Sequence, residues 1–147
     1  MTRLSTVTTT ILLLGVLASA QSQAPPILNP NVATEQELLT LPQMTPALVK
    51  TLIAGRPYKT MVDVNKHLSP AIAKEPLSQL YVRLFLPLNL NTATREEILL
   101  VPGVGRRMAH EFEEYRPYTS IEQFRKEIGK YVSRDEVARL ERYVALR

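Results

Sequence analysis

The sequence contains no cysteine, which excludes a disulfide scaffold, a thiolate metal site and a cysteine nucleophile. Histidine is limited to His67 and His110, so we predict no zinc site and no metal-ligating residues. Tryptophan is absent, and aromatic residues make up only 6% of the chain. Glycine is scarce, with 5 residues, whereas proline reaches 11. We therefore expect few loops with unusual backbone angles, and several elements that stop sharply at proline.

The chain contains 18 Lys and Arg and 14 Asp and Glu, which gives a formal net charge of +4. Neither sign of charge therefore dominates. Hydrophobic residues make up 45% of the chain and charged residues 22%, an ordinary globular balance that excludes a disordered tail or a collagen-like repeat. Adjacent glutamates such as Glu113 and Glu114 point about 100° apart on a helix, so they do not form an acid and base pair. We therefore predict no catalytic residues, no cofactor and no enzyme activity.

The N-terminal apolar run, Ile11–Ala18, is too short for a membrane span, which needs about 20 residues. It follows Arg3 and a polar stretch, and it ends at the small residues before Gln21, as in a secretory signal peptide. We predict cleavage near Ala20 and no stable membrane insertion, with an uncleaved anchor as the alternative. Export without cysteine favours a bacterial periplasm or a secreted protein.

An internal duplication dominates the sequence, and it aligns positions 28–68 with positions 88–128 without a gap. The two stretches share 12 identical residues over 41 positions, including Arg-Pro-Tyr at 56–58 and 116–118. Typical residue frequencies would give only about two or three. We predict two repeats that pack together. The predicted units are a signal peptide at 1–20, a linker at 21–27, a first repeat at 28–86 and a second repeat at 87–147.

Each repeat is predicted to be helical. Capping boxes begin at Thr34 and Thr94, and further boxes are expected at Ser120 and Ser133. No stretch alternates with period two for long enough to make a strand. The sequence therefore predicts an all-α fold of about four short helices per repeat.

Three repeated polar positions are expected to support each repeat. We expect Asn31 and Asn91 to fix the loop before the first helix by bonding backbone amides. The repeated arginine of Arg-Pro-Tyr is expected to bridge to carbonyls or to a carboxylate. Tyr58 and Tyr118 are expected to pack in the core rather than to stack on bases.

The most informative segment is Pro102-Gly103-Val104-Gly105-Arg106-Arg107. Two glycines around one apolar residue permit a very tight turn between helices, with Val104 in the core and the Gly105 amide facing outward at a helix N-terminus. We expect Gly105 to adopt a positive φ. A phosphate bound there would gain amide donors and the helix dipole. The predicted phosphate-binding residues are Gly103, Val104, Gly105, Arg106 and Arg107, and a structural turn without a ligand is the alternative.

Residues 88–118 resemble the helix-hairpin-helix motif of the competence protein ComEA and its secreted relatives. The features that match are the Asn-Thr-Ala lead-in, a Glu-Glu-containing helix, Pro-Gly-Val-Gly and a small residue, Ala109, four positions later. The resemblance implies a fold of helix-hairpin-helix repeats. It also implies sequence-non-specific binding of the double-stranded DNA backbone by an exported DNA-uptake receptor.

The first repeat departs from this pattern, because its hairpin reads Pro42-Gln43-Met44-Thr45-Pro46. We expect this hairpin to be reshaped and, since Pro46 lacks an N–H, to bind no phosphate. Residues 41–48 and 57–64 are similar to PsbU, the extrinsic subunit of photosystem II, in which the fold is a protein-docking cap. This similarity implies an alternative function, a periplasmic docking scaffold without DNA binding.

The charge of the second repeat favours that alternative. It contains 11 basic and 10 acidic residues, so a clear electrostatic footprint for nucleic acid is missing. If DNA is the ligand, one hairpin should bind it weakly, and we expect a protein partner or an oligomer at the cell envelope.

Overall fold

The computed structural model describes residues 24–147, so the predicted signal peptide lies outside the described residues. The described part of the chain folds mostly into short helices, and the prediction of an all-α fold is confirmed. The helices are α1 (Glu35–Leu39), α2 (Pro46–Ala54), α3 (Met61–Leu68), α4 (Lys74–Tyr81), α5 (Arg95–Ile98), α6 (Arg106–Glu114), α7 (Ile121–Ile128) and α8 (Arg134–Glu141).

The duplication is visible in the helix boundaries. The second, third and fourth helices of each repeat have equivalent boundaries. In the alignment of the two copies, α6 matches α2, α7 matches α3 and α8 matches α4 at both the first and the last residue. Helices α1 and α5 each begin after a threonine that accepts a hydrogen bond from the amide three residues later. The structural repeat therefore extends beyond residues 68 and 128, where the detectable sequence identity ends.

Two very short strands join the ends of the second repeat. Strand β1 (Leu88–Asn89) pairs in parallel with β2 (Val144–Ala145), and an equivalent bridge joins Leu28 to Leu84 in the first repeat. The expectation of no strand was wrong in this detail, because two residues are too few to show an alternating pattern. Each repeat is thus closed by pairing between its first and last residues.

The two repeats share one hydrophobic core, as expected from their short connection. The ring of Phe85, which lies in that connection, packs edge-on against Tyr81 and against Tyr143, with centroid distances of 6.3 and 5.0 Å. All three rings are at most 2% exposed. Helix α3 also contacts α5. The first repeat therefore supports the second through buried aromatic contacts.

The arginine of each Arg-Pro-Tyr segment joins the end of one helix to the start of its repeat. Arg116 donates from Nε to the Leu90 carbonyl oxygen at 2.6 Å and from Nη2 to that of Ala93 at 2.7 Å. Arg56 makes the equivalent two bonds in the first repeat. The expected bridge to backbone carbonyls is confirmed.

The repeated asparagines bond a backbone amide, as expected, but this amide belongs to the tyrosine of the Arg-Pro-Tyr segment. Asn91 donates to the Tyr118 carbonyl oxygen at 2.9 Å and accepts from the Tyr118 amide at 2.7 Å, and Asn31 joins Tyr58 in the same way. The loop amide is bound instead by Asn89, whose Oδ1 accepts from Asn91 N. Both tyrosine rings are buried, so their expected packing role is confirmed.

Only two of the four predicted capping boxes are present in the structure. The reciprocal boxes at Thr34 and Thr94 are confirmed. Ser120 and Ser133 accept from amides, but the side chains three residues later bond elsewhere, so the boxes expected there were wrong. A further reciprocal box, which the sequence analysis missed, begins at Thr60. In the part of the chain that the structure describes, no helix combines the length and apolar character needed to cross a membrane.

Ion pairs between helices predict a loss of stability in acid. A hydrogen bond from Arg125 lowers the pKa of Glu141 below its ordinary value of 4.5, and one from Arg95 does the same for Glu113. Because both pKa values are lower in the folded state, this stabilisation is complete above about pH 4.5 and is lost as the pH falls through the folded values. Melting temperatures between pH 7 and pH 3 should therefore fall.

The matched variants for this pH dependence are Glu141→Gln and, as control, the exposed Glu96→Gln. Glu141→Gln should melt at a temperature that changes less between pH 7 and pH 3 than in the wild type, because Arg125 loses its partner on α8 and keeps only the more exposed Glu122. Glu96→Gln should keep the wild-type pH dependence. Identical pH profiles for Glu141→Gln and the wild type would contradict this assignment.

Candidate nucleic-acid interface

A tight hairpin at residues 99–105 joins α5 to α6. The Val104 amide donates to the Val101 carbonyl oxygen at 3.0 Å, and the Val104 side chain is only 8% exposed. Ala109, one turn into α6, is fully buried. The expectation that Val104 points into the core is confirmed, and the backbone on either side of it is therefore left at the surface.

The two glycines of the hairpin have different backbone conformations. Gly103 has φ of +80°, whereas Gly105 has φ of −96° and ψ of 177°, so the positive φ expected at Gly105 was wrong. The physical reason is that Gly105 is the N-cap of α6, a position that takes extended backbone angles. The chain reverses earlier, at Gly103. A Cβ atom at Gly105 would meet no atom within 4 Å, whereas one at Gly103 would lie 3.1 Å from Arg139 Nη2.

The N-terminus of α6 is open. Gly105 offers no side-chain cap, and no described residue accepts a hydrogen bond from the amides of residues 105–108. These amides and the positive end of the helix dipole thus face the surface. Gly105 has no side chain that could cover them. The arrangement can hold an anion such as a phosphate oxygen.

The hairpin of the first repeat keeps the same backbone path. Gln43 has φ of +69° and takes the place of Gly103, and α2 begins at Pro46, the position equivalent to the start of α6. The expected reshaping was therefore wrong. The difference is chemical, because Thr45 Oγ1 accepts from the Leu48 amide at 3.3 Å and Pro46 has no N–H. This hairpin satisfies an amide that the second repeat leaves open.

The five predicted site residues lie together at one end of the second repeat. Arg106 and Arg107 are exposed in the first turn of α6, and neither forms an ion pair with a described residue. Arg107 lines the same cleft as Gly105. Both are free to add positive charge to a bound phosphate.

Two acidic residues of α6 lie beside basic side chains. Glu113 is paired with Arg95, which lowers the pKa of Glu113, and Glu114 faces His110 at 3.8 Å. The pair with Arg95 takes up one positive and one negative charge, so it leaves the net charge of the second repeat unchanged. At the hairpin itself, Arg106 and Arg107 form no ion pair with a described residue.

Two residues of this surface were missed by the sequence analysis. Arg139 lies against Gly103 and donates to both Glu136 carboxylate oxygens at 2.7 Å, which raises the pKa of Arg139. Tyr131, in the turn between α7 and α8, lines a cleft of about 250 Å³ together with Gly105. Helices α6 and α7 separate both residues from the hairpin along the chain. Only the tertiary fold brings them to it, so no local signal could have found them.

Comparison with known families identifies the hairpin. Residues 87–112 match the family model described as the Helix-hairpin-helix motif. The chain contains a helix-hairpin-helix motif. The match spans α5, the hairpin with all five predicted site residues, and most of α6. This motif is commonly DNA-binding, which supports a generic DNA-binding role for the protein.

The other comparisons return nothing. No curated protein and no solved structure matches the chain. Among residues 24–147, no group of three or more His, Asp or Glu is placed to hold a metal ion.

Proposed function

We propose that the protein is exported and binds the backbone of double-stranded DNA without sequence preference, in DNA uptake at a bacterial cell envelope. The observation that supports this function best is the open N-terminus of α6 within the helix-hairpin-helix match. The resemblance of the second repeat to ComEA-type proteins is the reason for proposing uptake. The proposed protein is a binding module and not an enzyme.

Binding would proceed through phosphate contacts alone. One phosphate oxygen accepts from the amides at Gly105 and the first residues of α6, and Arg106 and Arg107 neutralise its charge and that of a neighbouring phosphate. Such contacts fix the position of the protein on DNA but read no base. With about two to four phosphates, the log-log salt slope is about −2 to −4. A single molecule then binds weakly at physiological salt, so an oligomer or an envelope partner strengthens attachment.

Export is proposed from the N-terminal sequence. A mature protein that begins near Gln21, measured by N-terminal sequencing after expression in a bacterium, is the expected result. A protein that still begins at Met1 would instead indicate the uncleaved anchor.

Reversing the charge of Arg106 and Arg107 to Glu is expected to weaken DNA binding and to lower the salt slope by up to about two, because two phosphate contacts are lost. The melting temperature should stay close to that of the wild type, since both side chains are exposed and unpaired. The measurement is fluorescence anisotropy of a labelled duplex across a salt series.

The matched control reverses Lys50 and Lys66, two exposed lysines of the first repeat, which changes the net charge by the same amount. This control variant should bind nearly as well as the wild type. An equal loss in both double variants would mean that only the overall charge matters. No binding by the wild type at ~50 mM salt, where backbone contacts are least screened, would refute DNA binding.

A protein-docking scaffold is the second candidate function. It is favoured by the first hairpin, which keeps the backbone path while Thr45 occupies the Leu48 amide and Pro46 lacks an N–H, so two of the donors at this helix start are lost. Its resemblance to PsbU implies docking without DNA. Failure of the wild type to bind duplex, together with capture of an envelope protein by cross-linking, would support this function over the first.

A further inference from the structure

The cleft beside the hairpin is the strongest unassigned feature of the DNA-facing surface. Its volume is about 250 Å³, and it is lined by Gly105, Arg107, Met108, Glu111 and Tyr131. It is therefore continuous with the open amides at the start of α6. One wall comes from α6 and the other from the turn between α7 and α8.

The chemistry of the cleft does not suit a phosphate. Glu111 is only 9% exposed and contributes a carboxylate to its lining, which would repel a second anion. A carboxylate accepts hydrogen bonds, and the exocyclic amino groups of nucleobases are donors of the right kind. Met108 adds apolar surface. The interior thus matches a planar, partly apolar group with N–H donors, while the phosphate stays at the rim with Gly105 and Arg107.

Tyr131 supplies an aromatic surface at the edge of the cleft. Its side chain is 39% exposed, and its hydroxyl lies 2.7 Å from that of Tyr115. Lys130 lies over the Tyr115 ring, 4.8 Å from its centroid, and pairs with Glu127. The Tyr131 ring is thus anchored by its hydroxyl, and anchored aromatic rings are the usual stacking partners of unpaired bases.

We propose that this cleft binds one unpaired nucleobase, which stacks on Tyr131 and donates from its amino group to Glu111. The proposal rests on the proposed function, because the phosphate of the same nucleotide is held by the amide of Gly105 and by Arg107. DNA with a single-stranded overhang then binds more tightly than a blunt duplex.

The experiment compares the full mature protein on a blunt duplex and on the same duplex with a short overhang that contains 2-aminopurine. The overhang should increase affinity about five-fold or more, the lower range for one stacked base. The fluorescence of 2-aminopurine should fall on binding, because stacking on tyrosine quenches it. Equal affinity for the two DNAs, or unchanged 2-aminopurine fluorescence, overturns the base site and leaves duplex binding intact. No binding to either DNA overturns both proposals.

Variants separate stacking from other contributions. Tyr131→Phe should keep the quenching with a smaller overhang preference, because the ring remains but loses the hydroxyl that anchors it to Tyr115. Tyr131→Ser should lose both and still bind the blunt duplex like the wild type. Glu111→Gln should reduce the overhang preference relative to the blunt duplex, because a neutral amide accepts less strongly than a carboxylate from the base amino group. An undiminished overhang preference in this variant overturns the contact with Glu111. Tyr131→Leu, which keeps apolar volume without an aromatic face, should behave like Tyr131→Ser. Thermal melts of all four variants confirm that each is folded.

Discussion

Gly105→Val is expected to abolish DNA binding while lowering the free energy of unfolding by no more than about 1 kcal/mol, the effect of a less favourable N-cap residue. The backbone at Gly105 has φ of −96° and ψ of 177°, a region that valine adopts readily. A Cβ atom there meets nothing within 4 Å, so the fold can accept the side chain. The branched side chain instead covers the outward amides of α6 and keeps a phosphate from reaching them.

Two further variants make this test decisive. Gly103→Val should lower the free energy of unfolding by about 1–3 kcal/mol, because Gly103 has φ of +80° and its new side chain approaches Arg139. Thr45→Val in the first hairpin should lower it by about 1 kcal/mol through the lost cap, without affecting DNA affinity. Duplex anisotropy and thermal melts measure both effects. Undiminished binding by Gly105→Val would place the DNA surface elsewhere on the molecule.

Arg116→Ala is expected to lower the free energy of unfolding by about 3 kcal/mol. Its two charge-assisted hydrogen bonds, to the carbonyl oxygens of Leu90 and Ala93, are half-buried, and each such bond contributes about 1.5–3 kcal/mol. The variant leaves both carbonyls without this donor. For a protein of this size the melting temperature should fall by about 10 °C.

The control for Arg116 is Arg95, which is also an arginine but is exposed and paired with Glu113. Arg95→Ala should cost less than about 1 kcal/mol, the usual range for surface ion pairs. Arg116→Lys should recover little stability, because a single ammonium cannot reach both carbonyls in the geometry of a guanidinium. Urea titration of the three variants gives these values. Equal stability of Arg116→Ala and Arg95→Ala would show that the half-buried bridge contributes no more than a surface pair.

The helix positions could be predicted because local rules and the repeat agree. Thr34 and Thr94 mark helix starts by capping chemistry, and prolines and glycines mark the ends. The hairpin position followed from Gly103 and Gly105 for the same reason. These signals lie within a few residues of the structure they specify, so a single sequence contains them.

The finer geometry could not be predicted, because glycine permits a positive φ without requiring it. Which of Gly103 and Gly105 uses that freedom depends on where the chain enters α6. Gln43 shows the converse, since a side chain at the left-handed position costs only about 1–2 kcal/mol and the shared packing supports it. Tyr131 and Arg139 lie beside the hairpin because of tertiary packing, and the residues next to them in the sequence give no indication of this position.

The buried contact of Phe85 with Tyr143 bears on how the two copies diverged. Tyr143 belongs to the second repeat, its hydroxyl donates to the Val82 carbonyl oxygen at 3.3 Å, and its ring rests on the connection from the first. The first copy thus contributes to the second as a folding partner, through its core face and not through its hairpin. Its hairpin positions hold Gln43 and Thr45, where the second copy has Gly103 and Gly105, without loss of that contribution.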